Sequence, residues 1–247
     1  MKTKIEINNR NYEVDLSKGV DLSLPLAPDG PRAWYVDAMR IEPVQGEGFI
    51  GDVAQGGSVN FRNIFFNPHG HGTHTENVGH ILVTDFPVYK SLMQSHFLAQ
   101  VISAELVQEG GDWIIAADAL KDKIHGDVQA IILRTLPNDN DKLHKIYSGT
   151  NFPYVSVEAM RVIAASGVKH LLIDLPSVDR EEDGGALAAH RVFWNVPDNP
   201  DFYKTITEFV FVPNEVADGM YLLNLQVTSL VNDASPSRPV VFALAHS

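Results

Sequence analysis

Two short apolar runs constrain this chain's fold more than any other feature. Ala130-Ile131-Ile132-Leu133 and His170-Leu171-Leu172-Ile173-Asp174 lack the apolar–polar alternation of a half-exposed strand. Such runs read as strands buried on both faces, the habit of parallel sheets covered on both sides. Between them Ser156 can cap a helix through Ala165, with Gly167 just past its end. Ala159, Val162 and Ile163 form the inner face of that helix. Strand, helix, strand in this order is a βαβ unit. Residues 4–7 and 12–15 alternate around Asn8-Asn9-Arg10-Asn11 and read as a hairpin. Residues 61–66, 99–105, 113–117, 207–212, 221–227 and 240–244 are further strand candidates. The expectation is one layered α/β domain over residues 1–247, with a mixed sheet and a substantial antiparallel part.

The totals narrow the function. A net charge of −12 argues against nucleic acid as a partner, because phosphate binding needs clustered Lys and Arg. No apolar run reaches the ~18 residues of a membrane span. The opening MKTKIEINNRNYEVDL has no apolar core of signal-peptide length, so a cytoplasmic protein is expected. The chain has no cysteine, which removes disulfides, thiolate metal sites and a thiol nucleophile together. Any metal must therefore sit on imidazole and carboxylate.

Residues 67–80, NPHGHGTHTENVGH, supply both. His69, His71, His74 and His80 fall within this stretch together with Glu76 and three glycines. Neutral imidazole and carboxylate are natural ligands of zinc, manganese and iron. Glycines permit the tight backbone that aims several side chains at one point. On an extended segment His74 and Glu76 face the same side. His69 and His71 need not both be ligands; one can cap or orient instead. Such a site can activate water, with a neighbouring unligated imidazole moving the protons.

The motif Gly72-Thr73-His74-Thr75-Glu76 followed by His80 resembles the H-x-G-T-H-x-D-x-x-x-H signature of the metal-dependent cyclase-like hydrolases. That family includes bacterial kynurenine formamidases and isatin hydrolases. Leu133-Arg134-Thr135, the segment Ser156 to Asp179 with its D-x-P-S-V-D loop, Ile206-Thr207-Glu208 and Ser235-Pro236-Ser237-Arg238 are similar to further family segments, in order. The resemblance implies a cyclase-like (swivelling β/α) fold with a β-barrel-like portion, commonly as a homodimer. It implies one or two divalent ions, zinc first and manganese second. Carried over, His69, His74, Glu76, His190 and Glu208 hold the metal, and His80 is the acid–base group. Four residues before His74 the chain has Gly70 where the family has its first histidine, and a one-residue insertion brings His69 there. Glu76 stands where aspartate is usual, and Asn77 follows it where the family has proline.

The resemblance implies hydrolysis of a C–N bond in a small amide, an aryl formamide above all. A lactone or lactam hydrolase, a cyclase or dehydratase, and a metal-binding member with a degenerate site are the alternatives. Asp174 and Asp179 read equally as site-shaping groups or turn caps, and Glu181-Glu182-Asp183 as a solvated run. Trp34, Phe66, Phe86 and Trp194 read as core before pocket. His96, His125, His144 and His246 have no motif around them.

Overall fold

The computed structural model describes residues 1–246; Ser247 and the side chain of His246 lie outside the described part. Its main sheet has eleven strands. In chain order they are β1 (Lys2–Ile7), β2 (Arg10–Asp15), β3 (Val20–Asp21), β4 (His74–Glu76), β5 (His96–Glu105), β6 (Ala130–Leu136), β7 (His170–Ile173), β8 (Thr205–Glu208), β9 (Gly219–Asn224), β10 (Ala234–Pro236) and β11 (Val240–His246). Two helices accompany them, α1 (Val157–Ala165) and α2 (Ala188–Trp194). Small hairpins and a three-stranded ribbon lie outside this sheet.

The strand order is β1-β2-β11-β9-β5-β6-β7-β8-β4-β10, with β3 paired to β11. Strands β5, β6, β7 and β8 run parallel to one another, and every other pairing in the sheet is antiparallel. The expected mixed α/β fold is present. Its antiparallel portion is an open flank on each side of a parallel core, with β1 and β10 at the edges among the described residues.

The two apolar runs became β6 and β7, and the core shows why. Ile131, Leu133, Leu171 and Ile173 pack on one face with Ala159, Met160 and Ile163 of α1 and Phe193 and Trp194 of α2. Ala130, Ile132 and Leu172 point to the other face, against Leu22, Val210, Leu223 and Val241. Each of these Leu, Ile, Val and Phe side chains gains about 1.5–3 kcal/mol from leaving water, which keeps the middle of both runs apolar on both faces. Ser156 caps α1, its hydroxyl accepting from the Ala159 N–H at 3.1 Å, and Gly167 follows the helix at φ +82. Asn8 and Asn9 turn the first hairpin at φ +52 and +61, in the left-handed region that asparagine tolerates. No helix among the described residues is long and apolar enough to cross a membrane.

Candidate metal centre

The strand Arg62–Phe65 leads into the histidine turn, and Asn67 folds that turn. Its side-chain oxygen accepts from the N–H groups of His69 (2.9 Å) and Gly70 (3.0 Å). The two candidate histidines then separate. His71 turns away: its Nε2 lies 2.8 Å from the Asp37 carbonyl and its Nδ1 accepts from the Asn67 N–H at 2.9 Å. His69 turns inward, with Nδ1 2.9 Å from Glu76 Oε2. Gly70 could not serve in its place, since a Cβ there would meet Val36 Cγ2 at 2.8 Å.

Sheet register brings in the distant residues. Strand β4 lies between β8 and β10, so His74 is opposite Glu208 and Pro236, and Glu76 is opposite Ile206 and Ala234. His74 Nε2 is 3.4 Å from Glu208 Oε2. After β4, Asn77 starts a 3-10 turn over Val78–His80, its side-chain oxygen accepting from the Gly79 N–H. That turn folds His80 back over the strand, with Nδ1 3.7 Å from Glu76 Oε2. His190, on α2, places Nε2 3.1 Å from Glu76 Oε1 and 3.9 Å from Glu208 Oε1. His69, His74, Glu76, His80, His190 and Glu208 therefore meet in one place.

Two acids complete the arrangement. Asp179 Oδ2 is 2.6 Å from His190 Nδ1 and also accepts the His190 backbone N–H, so this acid both caps α2 and orients the ring. Asp233, just before β10, lies 2.8 Å from His69 Nε2 and 3.7 Å from His80 Nδ1. No sequence motif pointed to Asp233. Pairing of β10 with β4 is what delivers it. Asp174 belongs elsewhere, held by the Thr135 N–H and Lys142 Nζ. Trp194 is core, whereas Trp34 lines the same cavity as the cluster.

The electrostatics favour positive charge. Burial works against a charged His69, but its hydrogen bonds to the Asp233 and Glu76 carboxylates outweigh it and raise its pKa to about 10. Burial likewise opposes a charged His190, and Asp179 and Glu76 overcome it, again to about 10. Burial would raise Glu76, yet His80, His190 and His69 hold it well below the usual carboxylate range. Glu208 moves up instead, through burial and the neighbouring charge of Glu76. Like charges sharing one site push their affinities for protons apart in this way.

Three sets of donor atoms each lie within 4.8 Å: His69, His74 and Glu76; Glu76, His80 and His190; and His69, His80 and Asp233. His74 provides the test of fit. Its Nδ1 is 3.2 Å from the Gly72 carbonyl, while its Nε2 is buried with no hydrogen-bond partner. An unsatisfied buried nitrogen costs about 1–3 kcal/mol. Here it faces Glu208 Oε2 at 3.4 Å, too far for a good hydrogen bond but placed as a second ligand to a shared ion would be. His69 and His190 each set their other nitrogen on a carboxylate, the usual support of a ligating imidazole. The residues fit a divalent ion.

Fold and cluster together define a mixed α/β protein with a histidine–carboxylate centre at the seam between β4 and β8. Residues 20–180 match the Cyclase family, and the chain belongs to that family. His190 and Glu208 lie beyond the matched span. No curated protein matches by sequence. Among solved structures the fold is similar to a predicted metal-dependent hydrolase from Bacillus stearothermophilus, at 17% identity and TM-score 0.63, covering 91% of this chain and 98% of that one. It is similar to isatin hydrolase A from Labrenzia aggregata bound to benzyl benzoate, at 16% identity and TM-score 0.60, covering 92% and 93%. An isatin hydrolase bound to the product analogue thioisatinate matches at 14% identity and TM-score 0.63, with coverage of 92% and 93%.

Proposed function

We propose that the chain is a metal-dependent hydrolase of amide C–N bonds, with aryl formamides as its substrates. The observation that supports this most is the buried Nε2 of His74, without a hydrogen bond and 3.4 Å from Glu208 Oε2. His69, His74, Glu76, His190 and Glu208 would hold the ion, zinc first and manganese second. When bound, such an ion polarises a carbonyl oxygen and lowers the pKa of water toward neutrality.

The chain's own groups do the rest. His80 sits at the cavity wall and is partly exposed, so it can exchange protons with substrate and solvent. It takes a proton as the water oxygen adds to the carbonyl carbon, and returns it to the nitrogen as the C–N bond breaks. The products are a carboxylic acid and an amine. Glu76 and Asp233, each 3.7 Å from Nδ1, stabilise the imidazolium formed in between. Trp34 gives the cavity an aromatic wall.

The neighbour bound to thioisatinate favours a second reading on the same residues, opening of a cyclic amide. The family resemblance adds a homodimer to either reading. Turnover of formanilide, N-formylkynurenine and isatin, measured before and after chelation and after return of zinc or manganese, tests both. Chelator-sensitive release of aniline or kynurenine supports the first; ring opening of isatin alone supports the second. Stoichiometric metal without turnover of any of the three overturns the hydrolase reading.

A further inference from the structure

We propose that Arg180 anchors an anionic group on the substrate, a carboxylate on the ring that carries the scissile amide. The inference rests on the hydrolase reading above and narrows its substrate class to acidic aryl amides.

Arg180 lines the cavity of about 300 Å³ that His69, Glu76, His80, His190 and Glu208 also line. It is the only lysine or arginine among the described residues of that lining. The size matches the lower end of small-molecule sites and suits a single substituted ring. His80 and the one guanidinium thus line a single cavity.

The guanidinium is tethered and still available. Its Nε is 3.2 Å from Asp112 Oδ2, and Asp112 is itself held by Asn151 Nδ2 (2.8 Å) and the Tyr154 hydroxyl (3.2 Å). The two terminal nitrogens make no hydrogen bond among the described residues, and the side chain is 45% exposed. Those nitrogens form the planar fork that matches a carboxylate in bidentate fashion.

The neighbouring acids do not compete for that fork. Asp179 is engaged by His190 and the start of α2. Glu181 accepts from the N–H groups of Gly149 (2.6 Å) and Asn151 (3.1 Å). Asp183 accepts from Gly185 (2.7 Å) and Leu187 (2.6 Å). The run that read as solvated thus builds the loop, and Arg180 is fixed between two tied residues. In a chain of net charge −12 an anionic substrate meets a repulsive field, and a cation at the cavity wall offsets it locally.

The test compares formanilide with 2-formamidobenzoate, which share ring and scissile bond and differ by one carboxylate. In metal-loaded protein, kcat/KM for the acid relative to the neutral amide should fall about 10–100-fold in Arg180→Gln, chiefly through KM, with partial rescue in Arg180→Lys. Calorimetric titration with benzoate gives a readout without turnover, and Arg180→Gln should weaken its binding by a similar factor. An unchanged ratio, or benzoate affinity indifferent to the substitution, overturns the anchor. Arg180-dependent benzoate binding without hydrolysis of either amide sustains the anchor and overturns the hydrolase reading instead.

Discussion

Asp179 and His190 are joined twice: Asp179 Oδ2 lies 2.6 Å from the imidazole Nδ1 and accepts the His190 backbone N–H at 3.1 Å. Oδ1 accepts the Ala189 N–H at 2.8 Å, so one carboxylate starts α2 and aims the ring that α2 carries. Asp179→Asn should preserve capping but lose the charge behind the ring, weakening metal binding about 10–100-fold. Asp179→Ala should add about 1–2 kcal/mol of lost stability by uncapping the helix. Chelator competition and urea unfolding read the two effects separately. Wild-type metal affinity in Asp179→Asn would mean that packing on Trp194 alone, at 5.2 Å between ring centroids, orients His190.

His80 and His74 should fail differently. His80 is partly exposed at the cavity wall, and His74 is fully buried in β4. His80→Asn should lower turnover by about 10²–10⁴-fold with metal content near wild type. His74→Asn should remove metal and activity together. Elemental analysis beside kinetics decides the matter, and a metal-free His80→Asn protein would make His80 a ligand.

Away from the site, His170 makes stability depend on pH. Burial, then Lys169, lowers its pKa from 6.5 to about 4. Above pH 6.5 the ring is neutral in folded and unfolded chains and contributes nothing. As pH falls from 6.5 towards 4 the unfolded chain takes a proton that the folded one refuses, removing about 3 kcal/mol in all. Urea unfolding at pH 7 and pH 4.5 should show this loss in wild type and a smaller one in His170→Asn. Equal losses in the two proteins would remove His170 as the cause.

Gly72 is placed for its backbone. Its φ is +56, and a Cβ would meet Leu26 Cδ2 at 2.9 Å and the Leu24 carbonyl at 3.3 Å. Gly72→Ala should cost about 1–3 kcal/mol from left-handed strain and contact together. Denaturation of the variant against wild type, both after chelation, measures it. A cost below a few tenths of a kcal/mol would show that the turn relaxes freely.

The parts of this molecule that were legible in sequence are those whose cause is local. Strands β6 and β7 announced themselves because both of their faces are covered, leaving residues 130–133 and 171–173 apolar throughout. Helix α1 carried its own cap in Ser156. Helix α2 did not: it starts after Leu187, at φ +47, and its cap is Asp179 from an earlier loop. Strand β8 stops at Glu208, short of the expected 207–212, because Phe209 turns to φ +54. The resemblance preferred His69 over His71, but the Asp37 carbonyl that occupies His71 Nε2 comes from a distant loop that the turn itself does not show. Asp233 stands 164 residues from the imidazole it supports, and only strand pairing relates them.

The insertion of β4 between β8 and β10 has a kinetic consequence. The three strands that frame the cluster come from residues 74–76, 205–208 and 234–236, so the cluster exists only after these long-range pairings have formed. Such pairings close late, because the entropy of the intervening chain must be surrendered first. An ion that recognises this cluster meets a chain that has already crossed its folding barrier. It leaves the folding rate where it was and slows the reverse passage.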